Sequence, residues 1–171
     1  MNLDAVIRKV PDFPKPGVLF YDITSLFMNP DVVGYVSKKM LEAFEHTEVD
    51  AVISIESRGF IMGGIFAKER RVPLILARKK GKLPSETIEE SYDLEYGQAT
   101  LEIHKADISP GKKYLIIDDL IATGGTVKAV ATMVEKSDSE VAGVFAIISL
   151  PFFDYAKKIG KYKTIVLQEY H

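Results

Sequence analysis

A chain of 171 residues with 47% hydrophobic content is about one domain long and can bury a sizeable core. Its net charge of −2 gives no electrostatic case for nucleic-acid binding, and the lack of cysteine excludes disulfides and thiol catalysis. No basic-then-apolar signal pattern opens the chain and no apolar run reaches about eighteen residues, so we expect a cytoplasmic protein with no membrane partner.

Residues 2–9 suit a short helix with Leu3, Val6 and Ile7 on one side. Pro11, Pro14, Pro16 and Gly17 break it and force an extended segment, in which Val18, Leu19 and Phe20 would cover the core. Asn29 followed by Pro30 marks a helix start, and Val33, Val36, Met40, Leu41 and Phe44 give it an apolar stripe to about His46. Ala51 to Ile55 reads as a buried strand. Glu56-Ser57-Arg58-Gly59 follows, then a helix from Phe60 to Arg70 in which Gly63 and Gly64 permit close packing. A strand, a tight loop and an arginine at a helix start make an anion site, although Arg58 could equally pair with Glu56 or Glu69. Pro73 to Ala77 is a third strand, running into Arg78, Lys79, Lys80, Gly81 and Lys82. Basic runs are usually only solvated, but this one sits where open α/β sheets bind ligands.

From Leu83 to Gln98 the chain is polar and lacks clear periodicity, which predicts a lid or a solvated loop. Ala99 to His104 alternates as a strand, with His104 exposed, and Pro110-Gly111 turns into the apolar run Tyr114 to Ile117. That run suits a strand covered on both faces. It is followed by Asp118 and Asp119, then Leu120, Ile121, Ala122, the turn Thr123-Gly124-Gly125-Thr126, and a helix from Val127 to about Glu135. Glycines let the backbone take positive φ and approach a ligand, and successive N–H groups at a helix start cradle a phosphate. A phosphate does not fit beside two carboxylates unless ribose hydroxyls, a divalent cation or both lie between them. A sugar phosphate, with its phosphate at residues 122–126 and its hydroxyls at Asp118 and Asp119, reconciles the two halves. The plainer reading is a capped strand-turn-helix with Thr123 as N-cap. Val141 to Leu150 is a further strand, Asp154 to Ile159 a short helix and Thr164 to Leu167 a last strand. Strands alternating with helices predict an α/β fold, an open, mostly parallel sheet flanked by helices, in one domain over 1–171.

Five stretches in order, PDFPKPGVLFYDIT from Pro11, ESRGF from Glu56, RKKGKLP from Arg78, SYDLEYG from Ser91 and the DDLIATGGT segment, resemble the type I phosphoribosyltransferases, in particular their adenine-using branch. The resemblance implies a small N-terminal hood over 1–28 forming the base pocket, and a flexible lid loop at 83–98. Backbone groups near Leu19 and Tyr21 would read the purine edge, with Phe20 close to its ring and Leu150 as a second wall. The family usually has arginine after that phenylalanine, and this chain departs from it with Tyr21. Arg58, Arg78, Lys79 and Lys82 would contact pyrophosphate. Asp118 and Asp119 would hold the ribose diol, while Ala122, Thr123, Gly124, Gly125 and Thr126 would hold the 5-phosphate. Glu95 and Tyr96 would come from the lid, and Glu95, Arg58 and Asp119 would carry catalysis.

The implied reaction joins adenine and 5-phosphoribosyl-1-pyrophosphate (PRPP) into AMP and pyrophosphate, a pentosyl transfer of purine salvage. Mg2+ would be bound mainly through the pyrophosphate, reached by Asp118 and Asp119 through water, in an enzyme that is typically a homodimer. The rival readings are another base (hypoxanthine, guanine, xanthine or orotate) and a PRPP-sensing regulator without catalysis. The regulator would need a nucleic-acid-binding element for which the chain has no spare length. No G-x-x-x-x-G-K-[ST] or G-x-G-x-x-G pattern supports an ATPase or a dinucleotide enzyme.

Overall fold

The apolar residues sort into two cores, one on each face of a single sheet. The computed structural model describes residues 1–94 and 97–170. The chain opens with a turn over residues 3–7, in which the Val6 and Ile7 N–H groups both donate to the Leu3 carbonyl. Strands β1 (Arg8–Pro11) and β2 (Leu19–Asp22) then pair antiparallel. The helix expected over 2–9 is not formed, because Arg8 to Pro11 is drawn into this pairing. The burial it predicted does hold, since Leu3 and Ile7 are buried and Val6 packs beside them.

Helix α1 (Pro30–Ala43) starts as its sequence dictates, with the Asn29 side chain accepting from the Asp31 N–H and Pro30 in the first turn. Strand β3 (Ala51–Ile55), helix α2 (Gly59–Arg70) and strand β4 (Leu74–Lys79) follow. Residues 83–98, expected as a loop, instead contain β5 (Thr87–Asp93), which pairs antiparallel with β6 (Gln98–His104). Its inward side chains, Ile88 and Tyr92, rest on the core while Glu89 and Ser91 face water. With only two apolar residues, such an edge strand leaves little period-2 signal. His104 is half-buried rather than exposed. The chain continues through β7 (Lys113–Ile117), the two-residue β8 (Leu120–Ile121), α3 (Gly125–Lys136), β9 (Glu140–Ser149), α4 (Ala156–Ile159) and β10 (Thr164–Glu169).

The main sheet runs β10-β9-β7-β3-β4-β6-β5, with β8 on β9. The pairs from β10 to β4 are parallel, and β6 and β5 extend one edge antiparallel. Along β3 and β7 the side chains alternate between faces. Ile53 and Ile116 share one core with Val130 and Val134 of α3, while Val52 and Leu115 share the other with Met40 of α1, Phe44 just after it and Phe66 of α2. Gly63 is required where α2 crosses β3, since a Cβ there would lie 1.6 Å from Ser54 Oγ, whereas Gly64 faces open space. The N-terminal hairpin is clasped from the far end of the chain. Tyr21 stacks on Tyr170 with ring centroids 3.9 Å apart, and the Tyr170 N–H donates to the Ser149 carbonyl.

Candidate active site

Strands β3 and β7 are neighbours in register, Ser54 opposite Ile117, so the residues that follow both strands emerge side by side. Gly59 lets α2 begin tight against this edge, where a Cβ would meet the Ile117 carbonyl oxygen at 3.0 Å and Asp118 Cα at 3.2 Å. Arg58, one residue earlier, crosses to the neighbouring strand end, and its Nε donates to Asp119 Oδ2 at 2.6 Å. The sequence left Arg58 between Glu56 and Glu69; the sheet register gives it Asp119. Glu56 takes the basic strand end instead, accepting from Arg78 Nε at 3.2 Å and from the Lys79 N–H at 2.9 Å.

Asp118 and Asp119 are 4% and 5% exposed, unusual for adjacent carboxylates. Asp118 Oδ1 accepts from the Asp119 N–H at 2.8 Å and Oδ2 from the Thr126 hydroxyl at 3.2 Å. Burial, and after it the charge of Asp119, pushes the Asp118 carboxyl well above the usual carboxylate range. After them the chain climbs into the turn that starts α3. Gly124 has φ +72°, the left-handed conformation that a residue without a Cβ takes readily. Gly124, not Thr123, occupies the N-cap, and Thr123 Oγ1 accepts only a long 3.4 Å bond from the Gly125 N–H. The N–H groups of Gly124 and Thr126 have no acceptor among the described residues. These are free donors at the positive end of a twelve-residue helix, where an anion would be favoured.

Together these groups line a cavity of about 310 Å3, formed by Ile55, Glu56, Arg58, Asp118, Asp119, Leu120 and residues 122–126, with Tyr92 and Leu94 as its outer wall. That volume is at the lower end for small-molecule sites. A groove of about 760 Å3 between α1 and α2 is larger, but its lining of Leu41, Ile65 and charged residues such as Lys38, Glu42 and Glu69 offers no glycine turn and no buried acid pair. Size alone therefore does not mark the site.

Of the expected site residues, the fold brings together Arg58, Asp118, Asp119, Ala122, Thr123, Gly124, Gly125 and Thr126. Arg78 joins them through Glu56, while Lys79 at the end of β4 and Lys82 on the turn beyond it are exposed. Leu19, Phe20, Tyr21 and Leu150 do not line the cavity. Leu19 is 45% exposed, the Phe20 ring meets Phe13 edge-on, Tyr21 is turned onto Tyr170, and Leu150 is partly buried against the core that α1 and α2 cover. Glu95 and Tyr96 lie outside the described residues.

Two residues that the sequence did not single out belong here. Tyr92 lies so close that a Cβ on Gly125 would meet its ring at 3.0 Å, and burial, then the charges of Asp118 and Glu56, raise its phenol so that it stays a donor. Glu102, 3% exposed within β6, accepts from the Lys82 and Leu83 N–H groups at 2.9 and 2.8 Å. The only hint of Glu102 was an acid between the apolar Leu101 and Ile103, and Tyr92 needed β5 to be seen as a strand.

The family model for the phosphoribosyl transferase domain matches residues 22–166. The chain belongs to the phosphoribosyl transferase family. An adenine phosphoribosyltransferase of Treponema denticola is 52% identical to this phosphoribosyltransferase over 168 residues, 98% of this chain and 88% of that protein. Among solved structures, the adenine phosphoribosyltransferase of Thermoanaerobacter pseudethanolicus superposes with a TM-score of 0.93 at 38% identity, covering 98% of this chain and 97% of that one. The Saccharomyces cerevisiae enzyme, solved with adenine and an imino-altritol bisphosphate, gives a TM-score of 0.89 at 32% identity over 96% of both chains. The open, mostly parallel sheet flanked by helices is thus the fold of this family.

Proposed function

We propose that this phosphoribosyltransferase transfers the 5-phosphoribosyl group of PRPP to adenine, giving AMP and pyrophosphate. The observation that carries the reading is the glycine turn with unpartnered amides opening into the same cavity as the buried Asp118–Asp119 pair and Arg58. The relatives named for adenine, and the yeast enzyme's complex with that base, support adenine as acceptor.

The turn amides of residues 122–126 hold the 5-phosphate and so fix the ribose relative to the strand ends. Ribose hydroxyls donate to Asp119 and displace Arg58 from it, which turns the guanidinium toward the departing pyrophosphate. Lys79, Lys82 and Arg78 add positive charge at the same end, where negative charge grows as the anomeric bond breaks. The purine nitrogen attacks from the opposite face, over which the hood at 1–28 extends. There Leu19, Phe20 and Tyr21 supply backbone contacts and a ring, with Leu150 behind them. The residues that follow β5 exclude water that would otherwise hydrolyse the sugar, Glu95 and Tyr96 among them, and Glu95 assists proton transfer at the purine.

Among the described residues no three ligating side chains gather round a metal ion, and both Asp118 oxygens are already bonded. That donor set fits magnesium, which prefers phosphate oxygens and water to an all-protein cage, with Asp118 and Asp119 holding it through water. When bound, the ion offsets charge on the leaving pyrophosphate. The reading takes 1–171 as one domain of a cytoplasmic homodimer, which sedimentation of the purified protein would test. No helix among the described residues is long and apolar enough to cross a membrane.

The decisive experiment mixes the protein with PRPP, Mg2+ and adenine, hypoxanthine, guanine, xanthine or orotate in turn, following nucleotide and pyrophosphate. AMP and pyrophosphate in equal amounts with adenine alone are expected. Product with another base instead, or PRPP binding without turnover, would overturn it.

A further inference from the structure

The turn after β4 carries more charge than its surroundings balance. Arg78, Lys79, Lys80 and Lys82 fall within five residues, with Gly81 at φ +82° between the last two lysines. Two of the cations have acidic partners, Arg78 with Glu56 and Lys80 with Glu89 at 2.6 Å. Neither the Lys79 nor the Lys82 ammonium has a carboxylate within ion-pair distance among the described residues, and both side chains are exposed. Two like charges left free on a short turn repel one another, so the backbone beneath them must be held.

What holds it is Glu102. It sits directly opposite Arg78 in the β4–β6 pairing and is nearly inaccessible to water. Its Oε1 takes both the Lys82 and the Leu83 N–H, and the Lys82 N–H also leans on the Lys79 carbonyl at 3.2 Å. The opposite side of the turn is fixed by Lys79 N–H to Glu56 and by Lys80 N–H to the Thr100 carbonyl at 3.0 Å. Burial opposes the charge on Glu102, yet donation from the N–H groups of Leu83, Gly81 and Lys82 outweighs it and holds this carboxyl below its usual range. A buried carboxylate is a costly way to close a surface turn. A serine or a water would serve an ordinary one.

We propose that Glu102 is a positioning residue for the pyrophosphate end of the reaction. By holding the Lys82–Leu83 end of the turn from below, it keeps the uncommitted Lys82 ammonium beside that of Lys79, which β4 and Glu56 already fix, so that the two form an anion clamp beside the cavity. The proposal rests on the phosphoribosyl-transfer reading. It adds a residue that contacts no substrate and acts on one half of the site only, because the 5-phosphate cradle at 122–126 is built from other elements.

The test is calorimetric binding of pyrophosphate with Mg2+, and separately of AMP, to wild type, Glu102→Ala, Glu102→Gln and Lys82→Ala. Loss of one charge-assisted hydrogen bond to the anion corresponds to about a tenfold loss of affinity or more. Glu102→Ala is therefore expected to bind pyrophosphate about tenfold more weakly while AMP affinity is retained. Glu102→Gln, whose carboxamide oxygen can still accept both N–H groups, recovers most of the difference. The Glu102→Ala/Lys82→Ala double variant loses little more than Lys82→Ala alone. Pyrophosphate affinity unchanged in Glu102→Ala, or AMP and pyrophosphate falling in step, would overturn the proposal. If the alanine protein does not fold, Glu102→Asp, which keeps the charge but withdraws the acceptor by one methylene, carries the same expectation and the same refutation. A wild type that binds neither ligand refutes the phosphoribosyl-transfer reading instead.

Discussion

Replacing Gly124 by valine isolates the phosphate cradle from the rest of the molecule. Gly124 holds φ +72°, and a side chain there would find Tyr155 Cβ at 3.2 Å and the Tyr155 carbonyl oxygen at 3.4 Å. Keeping the turn costs a residue with a Cβ roughly 1–2 kcal/mol in backbone conformation alone, before crowding against Tyr155 is added. The cheaper response is to return to negative φ, which distorts the turn and withdraws the free amides of Gly124 and Thr126 from the cavity. Each hydrogen bond to a charged acceptor contributes about 1.5–3 kcal/mol, so two lost bonds weaken AMP by about 3–6 kcal/mol, on the order of 10²-fold to 10⁴-fold. Calorimetric titration with AMP measures this. Adenine titration serves as the control, since the proposed reading holds the base with other residues, and a melting curve establishes that the variant is folded. A folded Gly124→Val protein that binds AMP within about threefold of wild type would refute the cradle and leave the glycine a turn residue only.

Glu95→Gln is expected to lower kcat by roughly 10²-fold with PRPP affinity held, and unchanged turnover would remove Glu95 from the chemistry. Asp118 gives a pH signature. Its carboxyl is raised by burial and by Asp119, so the stability it contributes is present below the unfolded value of about 3.9 and lost as pH rises through the folded one. Asp118→Asn should then melt higher than wild type by a wider margin at pH 8 than at pH 4, and equal margins would count against a raised Asp118. Gly63→Ala forces a methyl to within 1.6 Å of Ser54 Oγ and should cost about 1–3 kcal/mol or more in urea unfolding, whereas Gly64→Ala, facing open space, should cost far less.

Much of this molecule is written locally. The Asn29-Pro30 start of α1, the buried runs of β3, β7 and β9, and the Asp118-to-Thr126 passage need only neighbours in sequence to be recognised, because caps, glycine turns and fully apolar strands carry their own signals. What stayed hidden depends on partners far along the chain. Arg8–Pro11 is a strand because Leu19–Asp22 pairs with it, overriding a weak helical pattern. Thr87–Asp93 is a strand because β6 and α3 give Ile88 and Tyr92 something to cover. The partner of Arg58 follows from sheet register, and Tyr21 faces Tyr170 rather than the cavity because the last residues of the sheet pass beneath the hood. Glu102 is the clearest case. Nothing in the string Gln98–His104 tells that one acid points into the interior to receive two main-chain hydrogens from another segment.

The ring stack between Tyr21 and Tyr170 joins regions that a linear map would place at opposite ends. A clipped tail, an appended purification tag or a fused partner at the carboxyl-terminal strand is therefore expected to disturb the arm proposed above for the nucleobase. Measurements of base preference on such altered proteins would report the state of that stack as much as the pocket itself.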